Sequence, residues 1–77
     1  MTTLQKIDVL FKEFFNDEKI EVTTNTTAAD VNGWDSLAHI NLIITIENEF
    51  NVKFAIGELH SLQNVGQMVS LIDTKIA

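Results

Sequence analysis

The sequence predicts an all-α fold: a small bundle of three main helices, with one short helix before the last and a long first loop. Three observations lead there. Apolar residues recur at three- and four-residue spacing in three separate stretches. No stretch alternates apolar and polar residues with a second stretch to pair against, so a sheet has no material. The chain has no proline and only three glycines, Gly33, Gly57 and Gly66, which confines backbone punctuation to a few junctions. Residues 1–77 are expected to make one domain, and 45% apolar content is ample for one packed core.

The first helix is predicted from Leu4, Ile7, Leu10, Phe11, Phe14 and Phe15, with Lys6, Asp8, Lys12 and Glu13 between them. Thr2 or Thr3 can cap its start, and Asn16-Asp17-Glu18 begins to end it. From about 17 to 34 the chain is polar and without helical period. Ile20 and Val22 flank Glu21 in a strand-like pattern, but no partner strand exists. A loop this long must pack on the core or do a job, and Ile20, Val22, Val31 and Trp34 are its expected anchors.

A second helix is predicted from Ser36 to about Phe50, with Asp35 as N-cap and Gly33 turning the chain before it. Leu37, Ile40, Ile43, Ile44, Ile46 and Phe50 supply its apolar stripe; His39, Asn41, Glu47, Asn48 and Glu49 fill the other face. Asn51 is expected to close it in a left-handed conformation. Val52 and Phe54 lead to a brief helical turn around Ile56–Leu59. The last helix carries the stripe Val65, Met68, Val69, Ile72 and Ile76, with Asn64 as cap and Gln67 completing a capping box.

Charge narrows the function. Eleven acids face five lysines and no arginine, for a net charge of -6. Nucleic acid and anionic membrane surfaces are poor partners for such a chain, because both require clustered cations. A protein with a basic patch is the better match. The longest apolar run, Leu42–Ile46, is broken by Thr45 and much too short to span a bilayer. Met1-Thr2-Thr3 lacks the basic start and long apolar run of a signal peptide, so a soluble cytoplasmic protein is expected; a monomer is expected as well. Cysteine is absent, and any thiol chemistry would have to import its sulfur.

Few side chains are placed for catalysis. Ser36 and His39 stand three apart on one helix, as a nucleophile and base would, but no third residue in the sequence orients the histidine. His39 therefore reads as a solvated surface residue, and His60, without a partner, as an exposed one. Asp30 and Asn32 are spaced like the start of a calcium loop, yet Gly33 comes too early and the closing glutamate is missing. Asn25-Thr26-Thr27 is an accidental glycosylation triplet. Trp34 has burial against the core as its default role.

The junction Gly33-Trp34-Asp35-Ser36-Leu37 is what remains. A serine at the first helical position is accessible and sits at the positive end of the helix dipole, where a phosphodiester on its hydroxyl would be favoured. The run Gly33-Trp34-Asp35-Ser36-Leu37-Ala38-His39-Ile40, continuing to Glu47-Asn48-Glu49-Phe50, resembles the acyl carrier protein family. That family's signature is Asp-Ser-Leu opening the second helix, then an apolar helix ending in acidic residues and Phe. The similarity extends over essentially the whole chain.

The resemblance implies a four-helix carrier bundle whose Ser36 receives 4′-phosphopantetheine from coenzyme A. A separate phosphopantetheinyl transferase, needing magnesium, would make the transfer. The arm's thiol would then hold acyl groups as thioesters, so the carrier is a substrate of enzymes rather than an enzyme. By similarity, Asp35 helps the transferase engage the serine, and Leu37 and Ile40 flank the arm. The expected docking face is Ile40, Asn41, Ile44, Glu47 and Asn48, for acyl-transferring or acyl-activating enzymes with basic docking patches. Phe50, Phe54 and Ile56 are expected to line an interior able to shelter an acyl chain.

The departures are informative. Ala38, Asn41 and Asn48 occupy places where the fatty-acid carriers have acids, while Glu47 and Glu49 remain. Service in a dedicated pathway follows, with polyketide, lipopeptide, surface-polysaccharide or aminoacyl chemistry as candidates. An aminoacyl or peptidyl carrier is the second choice, disfavoured by Asp35 where those carriers usually have glycine nearby. An unmodified acidic interaction module is the third.

Overall fold

A computed structural model describes residues 2–59 and 62–76, with the backbone alone for Ile56 and Leu59. Among these residues the elements are α1 (Thr3–Phe14), a 3₁₀ turn (Ala28–Asp30), α2 (Ser36–Phe50), α3 (Ile56–Leu59) and α4 (Val65–Ile76), with no strand. The expected three main helices and one short one are therefore in place. His60, expected to be exposed, lies outside the described residues, as does the side chain of Ile56.

Each long helix begins where a side chain meets its orphan N–H groups. At α1 the hydroxyl of Thr2 accepts from Gln5 N at 3.1 Å while the Gln5 side chain accepts from Thr2 N at 2.8 Å, a full capping box. At α4 Asn64 accepts from Gln67 N at 2.8 Å, but the Gln67 side chain takes the N–H of Gln63 at 2.6 Å, one residue before the position expected of a box. α1 and α2 both end on asparagine in the left-handed region, Asn16 (φ 51°) and Asn51 (φ 55°). The reason is chemical: asparagine tolerates this conformation best after glycine, and no glycine is available at either end. Each corner is closed by an amide reaching five residues back, Asp17 N to Lys12 O at 3.0 Å and Val52 N to Glu47 O at 3.1 Å.

The core is built from one face of each long helix. Ile7, Phe11, Leu42, Ile46, Val65, Met68 and Ile72 are fully buried. Each such side chain contributes about 1.5–3 kcal/mol relative to exposure. Leu4, Phe14, Phe15, Phe50, Phe54 and Val69 pack partly buried around them. Ile76 does not: it is half exposed at the end of α4, so the expected stripe stops at Ile72. The hydroxyl of Thr3 also donates to Asp73, tying the start of α1 to α4.

The long loop packs as expected, through Val22, Val31 and Trp34, which are buried, and Ile20, which is half-buried. Its polar backbone is satisfied by side chains the periodicity could not reveal. Asp8 on α1 accepts from Val22 N at 2.8 Å, and buried Thr26 accepts from Thr23 N at 2.9 Å. Val65 N and Gly66 N then donate to Thr26 O and Thr24 O, both at 2.9 Å. So the middle of the loop is fastened to α1 at Val22 and to the start of α4 at Thr24 and Thr26.

Candidate functional site

The loop delivers the chain to α2 through a tight corner. Gly33 has φ +88°, a conformation that a side chain would strain, and Asp35 N donates to Gly33 O at 3.0 Å. Asp35 is the N-cap: its Oδ1 accepts from Ala38 N at 2.8 Å. Ser36 follows as the first residue of the helix, exposed, at the positive end of the dipole. The corner is rigid because Trp34, 6% exposed, is driven into the core edge-on against Phe11, with ring centroids 5.2 Å apart.

α2 divides its apolar residues between two faces. Leu42, Ile43 and Ile46 are buried, with Phe50 half-buried behind them. Leu37, Ile40 and Ile44 stand outward, 70%, 53% and 49% exposed. The stripe expected from the sequence mixed these two sets. The inward one follows the spacing 39, 42, 43, 46, 50, which places His39, not Leu37 or Ile40, at its first position.

His39 accordingly differs from the solvated residue expected. It is half-buried, its ring lies nearly parallel to that of Trp34 (24°, centroids 6.0 Å apart), and its Nδ1 accepts the indole N–H at 3.1 Å. A third residue does orient this histidine. The orientation does not make it a base for Ser36, because the indole can only donate and so occupies the ring's one lone pair in the neutral form. A Ser36–His39 catalytic pair is thereby ruled out while the Trp34 bond holds.

The family model for the phosphopantetheine attachment site matches residues 5–72. The chain is 31% identical over 71 residues to an acyl carrier protein of Thermotoga maritima, covering 92% of this chain and 88% of that one. It is 29% identical over 73 residues to an acyl carrier protein of Guillardia theta, covering 95% and 90%. A holo acyl carrier protein from Geobacter metallireducens, solved by NMR, superposes with a TM-score of 0.91 at 43% identity, over 99% of this chain and 87% of that one.

The chain belongs to the acyl carrier protein family.

Its members are carriers, not catalysts, and the group they carry is a covalently attached phosphopantetheine. The residues of this carrier fit such a group at the start of α2. There the Ser36 hydroxyl is open to an incoming enzyme, and the exposed Leu37 and Ile40 beside it offer apolar surface. Among the described residues no group of His, Asp and Glu could hold a metal ion, and no helix is long and apolar enough to cross a membrane.

The other residues expected at the site lie along α2. Asn41 and Asn48 are exposed, in line with Ile40 and Ile44. Glu47 is half-buried and its Oε2 accepts from Phe54 N at 2.8 Å, an intramolecular task the sequence did not announce. Glu49 is exposed. From Ser36 to Ile46 no acid or lysine occurs, and His39 is the only ionisable side chain.

Proposed function

We propose that Ser36 is the attachment point of 4′-phosphopantetheine, and that the protein presents acyl groups on this arm to partner enzymes of a dedicated pathway. One observation carries the proposal: an exposed serine opens α2 directly behind its Asp35 cap, in a chain whose family is defined by phosphopantetheine attachment. In the loading reaction the Ser36 oxygen forms the new bond to phosphorus as the nucleotide half of coenzyme A departs. The hydroxyl proton passes to the transferase, since His39 offers no lone pair while bonded to Trp34. The arm supplies a terminal thiol that holds acyl groups as thioesters, which this cysteine-free chain cannot do for itself.

The protein's own contribution is to hold the tether and to be gripped. Asp35 and Gly33 fix the first turn of α2, so the serine is presented in one conformation. A tethered group reaches a docked enzyme at high effective concentration, which makes weak, short-lived docking sufficient. Leu37, Ile40, Asn41, Ile44 and Asn48 form the grip, flanked by Glu47 and Glu49. The net charge of -6 steers basic enzymes toward the carrier, while the grip itself is largely uncharged.

That uncharged grip supports service outside general fatty-acid synthesis, where acids on the second helix are the rule. The test is substitution for a housekeeping carrier in a reconstituted fatty-acid synthase. Slow or absent turnover is expected; turnover equal to that of the housekeeping carrier would remove the dedicated pathway from the account.

A further inference from the structure

Trp34 engages one of the two ring nitrogens of His39. The indole N–H of Trp34 donates to Nδ1 at 3.1 Å, so Nδ1 carries the lone pair and the proton of the neutral ring resides on Nε2. Trp34 cannot easily turn away, being buried and held edge-on by Phe11. The tautomer and the ring plane of His39 are therefore set by the core.

The ring also lies toward the start of α2. Helical side chains lean toward the N-terminus, and His39 reaches back to a residue that precedes the helix. Ser36 is three residues before His39, a neighbour on the helix surface with Cβ atoms about 5–6 Å apart. A phosphodiester on Ser36 would stand beside the Asp35 carboxylate, a like charge. The N–H groups that open α2 offset part of that repulsion, and no lysine or arginine occurs between Lys19 and Lys53 to add a side-chain donor from that stretch.

We propose that His39 is a positioning residue for the arm, donating its Nε2–H to a phosphodiester oxygen on Ser36 while Trp34 holds the tautomer. It rests on the assignment of Ser36 above. Its consequence is a preferred direction for the arm as it leaves the helix, set by the aromatic pair rather than by a partner enzyme.

The experiment compares the apo and holo forms of the wild-type protein labelled with ¹⁵N-histidine, after intact mass has verified attachment. The His39 Nε2-protonated tautomer is expected in both forms, with its Nε2–H proton moving downfield once the arm is attached. The ³¹P resonance of the holo-protein should also move in His39→Phe, which keeps a flat ring against Trp34. A His39 Nε2–H signal unchanged by attachment, an Nδ1-protonated ring, or a ³¹P resonance identical in His39→Phe and wild type would overturn the proposal and leave the Trp34 bond a purely structural one. Failure to attach any arm is read separately, by mass, and would remove the assignment of Ser36 together with this inference.

Discussion

The Glu47 carboxylate accepts the N–H of Phe54 at 2.8 Å across the left-handed corner at Asn51. It thereby fastens the segment leaving α2 to the helix it has just left. Hydrogen bonds to a charged group contribute about 1.5–3 kcal/mol, whereas an exposed acid contributes little. Glu47→Ala should lower unfolding stability by about 1–3 kcal/mol, and Glu49→Ala by less than about 0.5 kcal/mol. Urea unfolding of the two variants checks this; equal midpoints would show that the Glu47 bond is not formed in solution.

Gly66 is required by close approach. Its N–H donates to Thr24 O at 2.9 Å, and a Cβ added there would stand 2.8 Å from the same oxygen. Backbone tied by that bond cannot give way cheaply. Gly66→Ala should cost about 1–3 kcal/mol by overpacking, despite the better helix propensity of alanine. Gly57 in α3 has nothing within 4 Å of such a Cβ, so Gly57→Ala should be neutral or stabilising by about 0.4–1 kcal/mol. Thermal midpoints of the pair decide it.

Acid should loosen the attachment of the long loop. Burial is the largest influence on Asp8 and raises its pKa. The hydrogen bonds from Lys12 and Val22 N, with the charge of Lys12, together outweigh it and leave the carboxyl below the ordinary 3.8. Glu58 is also lowered, by the N–H of Ala55 first and Lys75 second. A pKa depressed in the folded state means stability present above the unfolded value and lost as pH falls through the folded one. Wild type should therefore lose stability below about pH 4, and Asp8→Asn should lose less over the same interval. Parallel pH–stability curves for the two would contradict the role given to Asp8.

The grip proposed on the outward face of α2 lies apart from the core. Leu37, Ile40 and Ile44 are exposed, so truncating them removes little core packing. Leu37→Ala and Ile40→Ala should each change stability by less than about 0.5 kcal/mol. Each should reduce kcat/KM for modification by a phosphopantetheinyl transferase about tenfold, the scale of an interface anchor. Unchanged modification kinetics would place docking elsewhere.

Much of this fold was legible because periodicity and caps speak locally. Ser36 to Phe50 was readable as a helix, as were the Asp35 cap, the left-handed Asn51 and the short helix Ile56–Leu59. The motif proposed for attachment is local in the same way, being contiguous from Asp35 to Leu37. The stripe of α2 was misread for a physical cause: six of the eleven residues from Ser36 to Ile46 are Leu or Ile, more than one face of a helix can bury. The inward set becomes clear only when His39 is allowed into it at the spacing 39, 42, 43, 46. The Trp34–His39 and Glu47–Phe54 bonds depend on tertiary placement, which no local pattern encodes. Thr26, buried under α4, belongs with them. The 3₁₀ turn is local, with the Asp30 carboxylate accepting from Thr27 N at 2.9 Å.

The central claim is that Ser36 carries the arm, and intact mass tests it most directly. The wild-type protein and Ser36→Ala are incubated with a broad-specificity phosphopantetheinyl transferase, magnesium and coenzyme A, beside a control carrier. A gain of one phosphopantetheine in the wild type and none in the variant is predicted. No gain in the wild type while the control is modified, or an equal gain in Ser36→Ala, would contradict the account.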